Sequence, residues 1–196
     1  MTTELKTLNN INHAAYRCRD AEQTRWFYED VLGLPLQFAL VEEIDFGLAS
    51  DKGQARKYMH LFFLLGDGNY IAFFDQPDVA TEEHFTKADS FDRHLALQVN
   101  SYAELEAWKE RIQSHGKSCL GPWDHGFCDS IYMYDPNGLQ VEVCCLKENA
   151  GEIIEKKAAV VKEVLAQWTK DTRAIKEQRF GKAALDMRGK DTTTSK

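Results

Sequence analysis

No CxxC pair occurs among the five cysteines Cys18, Cys119, Cys128, Cys144 and Cys145, so the chain lacks the spacing of a zinc ribbon or a dithiol redox motif. The opening MTTELKTLNNIN lacks the basic-then-apolar pattern of a secretory leader. With an odd cysteine count, this predicts reduced thiols in a cytoplasmic protein, serving as small buried hydrophobes. Apolar runs of membrane-spanning length are missing as well, and no membrane partner is expected. Positive charge is in deficit: 24 Lys and Arg against 31 Asp and Glu leave a net charge of −7, which argues against a general nucleic-acid binder.

The 196 residues suffice for one good-sized domain or two small modules, and a faint internal repeat favours paired modules. The first unit, about residues 8–76, opens with the strand-like Ile11-Asn12-His13-Ala14-Ala15-Tyr16-Arg17. A helix follows over 20–32, with Asp20 as N-cap, Gly33 as stop and Trp26, Phe27, Val31 and Leu32 at helical spacing. Strands are predicted at 36–41, 58–65 and 70–74. The second unit, about 90–146, repeats the order: a strand at 94–99, a Ser101-capped helix over 102–114, a short segment near Lys117, and strands at 130–134 and 139–145. The fold class expected is α+β, two paired βαβββ modules forming a concave mixed sheet around a shared cleft. Segments 42–57 and 76–92 lack periodicity and read as loops.

Residues 1–146 thus form the two-module domain, and 147–188 a helical extension. Ile154, Ala158, Val161, Leu165 and Trp168 give one amphipathic helix with an apolar stripe, suited to its own domain or to a second subunit in a homodimer. The polar tail 189–196 reads as disordered.

Glu142 is the anomaly in this pattern. It lies in an otherwise apolar strand, where a buried carboxylate must be paired, hydrogen-bonded or metal-bound. Alternation places Gln140, Glu142 and Cys144 on one face of that strand, and His94, Ala96 and Gln98 on one face of the strand at 94. His13 holds the same place in the first unit as His94 in the second. Matching Gly68 to Gly138 sets Ala72 opposite Glu142 in the repeat, so a symmetric cleft would hold His13, His94, Glu142 and an alanine. Two imidazoles and a carboxylate suit Fe(II) with open positions, and also admit Mn(II) or Zn(II).

The architecture and this ligand pattern resemble the vicinal oxygen chelate superfamily, which includes glyoxalase I, extradiol ring-cleavage dioxygenases, fosfomycin-resistance thiol transferases, methylmalonyl-CoA epimerase and bleomycin-resistance proteins. The resemblance covers roughly residues 8–146. It is most specific at Phe27-Tyr28-Glu29-Asp30-Val31-Leu32-Gly33-Leu34 and at Tyr134-Asp135-Pro136-Asn137-Gly138-Leu139-Gln140-Val141-Glu142. It implies a metal site at His13, His94 and Glu142. Ala72 departs from the four-ligand pattern of glyoxalase I, and the three-ligand pattern is that of the dioxygenases and the fosfomycin-type transferases.

Tyr132, ten residues before Glu142, resembles the dioxygenase tyrosine beside the substrate hydroxyl, and His125 resembles a histidine of the preceding loop; the resemblance makes both catalytic candidates. Pairing Tyr134 with Leu139 would put Ile131 across from Glu142, whereas a bulge or longer loop would put Tyr132 there. The expected activity is Fe(II)-dependent ring cleavage of a catechol-like aromatic, with Mn(II), Zn(II) or Ni(II) as other metals. The alternatives are a glyoxalase-like lyase or isomerase, a thiol transferase on a small electrophile, and a bleomycin-resistance-type sequestering protein. Phe46, Phe62, Phe73, Phe74, Trp123 and Phe127 are candidates to stack on a planar ligand.

Overall fold

A computed structural model of the protein describes residues 7–45, 47 and 55–188. It divides into two compact units, Met1–Lys147 and Glu148–Lys196. The first holds two four-stranded mixed sheets. Strands β1 (His13–Cys18), β2 (Leu36–Ile44), β3 (Arg56–Leu64) and β4 (Tyr70–Asp75) lie in the order β1-β4-β3-β2. Strands β5 (His94–Val99), β6 (Leu120–Asp124), β7 (Cys128–Tyr134) and β8 (Gln140–Leu146) lie in the order β5-β8-β7-β6. In each sheet the first strand runs parallel to the last and the others are antiparallel, so the expected α+β repeat is present twice.

The helix after β1 starts as predicted: Asp20 caps α1 (Ala21–Arg25), accepting from the Gln23 N–H at 2.7 Å. It then widens into a π-helical stretch, Trp26–Val31, where an ordinary helix was expected. Arg25 supplies the reason. Its guanidinium grips Glu22, Glu29 and also Asp30, five residues on, which matches the wider turn. The result buries Phe27, Tyr28 and Val31 completely. Helix α2 (Tyr102–Ser114) follows the sequence reading to the residue, with the Ser101 hydroxyl accepting from the Glu104 N–H and Leu105 and Ile112 fully buried.

One hydrophobic cluster joins the two modules. Phe27, Tyr28, Val31, Leu105 and Ile112 of the helical segments pack with Leu61, Phe63, Ile71 and Phe73 from the first sheet and Ile131, Met133, Val141 and Val143 from the second. Because strand side chains alternate, the faces carrying His13 and Glu142 are the ones turned away from this shared core. This corrects the expectation of both imidazoles pointing into one cleft. It also moves Phe73, expected beside a ligand, into the core.

The β7–β8 turn settles the register. Asp135 Oδ1 accepts from the backbone N–H groups of Asn137 and Leu139, both at 2.8 Å, and Asp135 N–H donates to the Leu139 carbonyl. The connection therefore takes five residues, Tyr134 pairs with Gln140, and Tyr132 stands directly across from Glu142. Gly138, at φ +79°, lies under the segment between the modules; a Cβ there would sit 2.5 Å from the Thr86 carbonyl oxygen. That segment is not wholly irregular, since Glu82–Phe85 forms a 3-10 turn that buries Phe85. Of the other predicted loop, β2 and β3 take the ends. The aromatic Phe46 and the tail 189–196 lie outside the described residues.

The second unit contains α3 (Ala150–Ala159), α4 (Val161–Phe180) and α5 (Lys182–Asp186). The single helix expected to run through Ile154 and Trp168 is interrupted at Val160, and the stripe residues Ile154, Val161, Leu165 and Trp168 are exposed. Among the described residues no helix is long and apolar enough to cross a membrane. All five cysteines are free thiols, four of them buried, and burial pushes Cys18 up to about 12 and Cys144 up to about 11.

Candidate functional site

The second sheet gathers most of the predicted chemistry. His94 Nδ1 lies 2.8 Å from the Ser90 carbonyl oxygen, which only accepts, so the ring donates there and Nε2 carries the lone pair. That Nε2 lies 3.6 Å from Glu142 Oε2. Two electron-pair acceptors this close call for a positive charge between them, either a proton or a metal cation. Glu142 is 8 % exposed, and its other oxygen accepts from the fully buried Ser130 hydroxyl at 2.6 Å. The serine orients the carboxylate, as outer partners of metal ligands do.

Tyr132 and His125 meet on the same face. The phenol oxygen lies 2.8 Å from His125 Nε2, while burial, and then the negative charge of Glu142, push the phenol pKa upward. The phenol therefore keeps its proton, and it donates to His125 Nε2 in the tautomer whose lone pair lies on that nitrogen. The His125 loop is pinned from several sides: His125 N–H donates to the Cys128 carbonyl, Asp124 accepts from Gly126 N–H, and Lys147 pairs with Asp124 at 2.6 Å. These groups line a cavity of about 270 Å³ together with Ser90, Phe91, Trp123 and Gln140. Trp123 lies beside Tyr132, ring centroids 5.5 Å apart. A larger cavity, about 650 Å³, touches Leu32, Leu34, Leu65, Ala96 and Trp108. Asp67 is its single ionisable lining residue, so the smaller cavity is the chemical one.

His13 lies on the first sheet. Its Nδ1 is 2.8 Å from Asn12 Oδ1, and its ring neighbours are His60 and Phe62. Among the described residues no three His, Cys, Asp or Glu side chains are placed to share one ion. The structure therefore brings His94 and Glu142 together and leaves His13 apart from them. Ala72 is fully buried and pairs with Ala15 and Phe62, the position Glu142 occupies between Ala96 and Tyr132, so the repeat alignment holds.

The sequence reading named neither Ser130, Gln140 nor His60 as functional. Alternation sets Ser130 on a face with Tyr132, Gln140 with Glu142 and His60 with Phe62, but it does not say which of them the fold brings together. Burial lowers the His60 pKa, and the neighbouring His13 lowers it further.

Comparison with known proteins agrees with the fold. Residues 10–143 match the model of the Glyoxalase/Bleomycin resistance protein/Dioxygenase superfamily. A curated relative, Glyoxylase I 4 of Arabidopsis thaliana, is 23% identical over 137 residues, covering 70% of this chain and 71% of that one. Among solved structures, the glyoxylase/bleomycin resistance protein/dioxygenase domain from Frankia sp. EAN1pec aligns with a TM-score of 0.53 and 18% identity, over 72% of this chain and 95% of that one. An integron cassette protein from the Halifax Harbour sewage-outfall metagenome aligns at 0.50 and 21% identity, over 71% and 100%. At these identities the solved structures bear on the fold.

Proposed function

Because the chain belongs to the glyoxalase/bleomycin resistance protein/dioxygenase superfamily, we propose that it is a metal-dependent enzyme acting on a catechol-like aromatic, with Fe(II)-dependent ring cleavage as the reaction. The observation that carries this reading is the facing pair of acceptors, His94 Nε2 and Glu142 Oε2, set beside the Tyr132–His125 hydrogen bond in one small cavity. The donor set fits a divalent cation but is short by one ligand within a single chain. His13 of a second copy supplies it, since both site-bearing faces turn away from the shared core. His13, His94 and Glu142 then form the two-imidazole, one-carboxylate set.

When bound, the metal would hold the two substrate oxygens and dioxygen on one centre. The protein's residues do the rest. Trp123 offers a flat surface to the ring. Gln140 Oε1, buried and without a partner among the described residues, accepts from a substrate hydroxyl. A substrate hydroxyl gives its proton to the Tyr132 oxygen as the phenol passes its own to His125 Nε2, so the phenol ends protonated and the imidazole holds the proton. Ser130 keeps Glu142 aimed throughout.

A sequestering role is the second reading, favoured by the half-exposed Phe38 stacked on Phe62 at 4.2 Å on the first sheet. Anaerobic purification with metal analysis, then oxygen uptake on a panel of catechols, separates the two. Iron with catechol-dependent uptake, lost in Glu142→Gln and reduced roughly 10²-fold or more in Tyr132→Phe, is the expected result. Zinc or nickel with turnover of methylglyoxal plus thiol points to lyase chemistry instead. Tight binding of a planar ligand with no metal and no turnover sinks the enzyme reading.

A further inference from the structure

Among the described residues, three buried side-chain polar atoms have no hydrogen-bond partner: Arg17 Nη1, His60 Nε2 and Gln140 Oε1. Unpartnered buried groups are rare, and each invites an explanation. All three belong to the faces that carry the site residues: Arg17 shares the face of His13, His60 that of Phe62, and Gln140 that of Glu142. Gln140 already lines the cavity of the second sheet. His60 lies on the first sheet, in surroundings that prepare it to bind.

Its ring is locked by packing. It stacks on Phe74 at 3.7 Å with 19° between planes, and leans on Phe62 at 4.1 Å with 46°. On the remaining side stands His13, ring centroids 6.0 Å apart at 67°. His13 commits Nδ1 to Asn12, which leaves its Nε2 lone pair free. Between β1 and β3 runs β4, and the residue of β4 on this face between the two histidines is Ala72, whose methyl leaves room for both rings. An imidazole bonded at about 2.1 Å has its centroid roughly 3.2 Å from the ion, so two rings on one ion stand about 4.5–6.5 Å apart. The observed separation falls within that range.

We propose that His13 and His60 form a two-imidazole site for a borderline transition-metal cation on the first sheet, with His60 Nε2 as a ligand. In the internal repeat His60 takes the place of Ser130, so one half of the repeat carries Glu142 with a serine and the other Ala72 with a histidine. The pair needs no second copy. It touches the proposed function only through His13, which would bring His60 to a two-copy site as a further nitrogen donor where Ala72 has none.

Cu(II) titration of the full chain, followed by EPR with nitrogen hyperfine resolution, tests this. In the His94→Ala/Glu142→Gln double variant, which removes the second-sheet donors, one Cu(II) per chain should remain with two imidazole nitrogens. Adding His60→Phe, which keeps a flat ring between Phe62 and Phe74, should remove one nitrogen. Affinity should then fall by more than the roughly 10–100-fold typical of outer-partner changes. An unchanged nitrogen count and affinity in His60→Phe overturns the proposal and leaves the proposed function standing. Copper binding in the wild type but none in the double variant does the same. No binding in either overturns both. A measurement free of mutation guards against misfolded variants: in long-range ¹H–¹⁵N spectra, Zn(II) should shift Nε2 of His13 and His60 together, and an unmoved His60 signal overturns the assignment.

Discussion

Ser130 has one visible task. Its hydroxyl is fully buried and donates to Glu142 at 2.6 Å. Ser130→Ala leaves a buried oxygen without that donor, which should cost about 1–3 kcal/mol in urea denaturation. The same variant should weaken metal binding roughly 10–100-fold, because the carboxylate loses its aim. A stability loss with unchanged metal affinity would reduce Ser130 to a packing residue. At this scale the sequence was informative about residue type and silent about company. A lone Glu in an apolar strand announces that it needs partners, but a serine twelve residues away carries no mark distinguishing it from any other serine. His60 was hidden for the same reason, since its meaning lies in Phe62, Phe74 and His13, which meet only after the sheet has formed.

Elements were more legible than their contacts. The second helix could be read to both ends because its cap and stop are local chemistry, Ser101 before and His115-Gly116 after. The first helix was misjudged in type, since its π-helical stretch depends on how Arg25 divides itself among three carboxylates. The β7–β8 hairpin shows the limit most sharply. Asp-Pro-Asn-Gly identifies a turn, but strand parity depends on loop length, and here the Asp135 carboxylate fixes it by holding Asn137 and Leu139. The turn is also sterically pinned at Gly138, where the backbone is left-handed and a Cβ would strike the carbonyl oxygens of Phe85 and Thr86. Gly138→Ala should therefore cost about 1–3 kcal/mol from the backbone conformation alone, and more from the clash. Thermal denaturation measures the total, whereas Gly126→Ala, left-handed but with open space around its Cβ, should lose only the conformational part. Equal losses at the two positions would mean that the segment above Gly138 yields.

At the scale of the whole molecule, the internal repeat predicts two modules and which faces carry ionisable groups, but it cannot say which way those faces look. That is decided by the core. The helical segments and the inner faces of both sheets form one hydrophobic cluster, and this sends His13 and the His94–Glu142 pair away from it. On the proposed reading a site built from all three draws on two chains, and a twofold dimer would supply each of its two sites with His13 from one copy and His94 and Glu142 from the other. Mixing variants tests this directly. His13→Ala alone and His94→Ala/Glu142→Gln alone should each be inactive. A refolded equimolar mixture should recover about a quarter of wild-type turnover, because about half of the dimers are mixed and each mixed dimer has one intact site of two. Sedimentation or light scattering should give a dimer mass for the same samples. If the three ligands acted within one chain, the mixture would stay inactive however completely the copies exchanged.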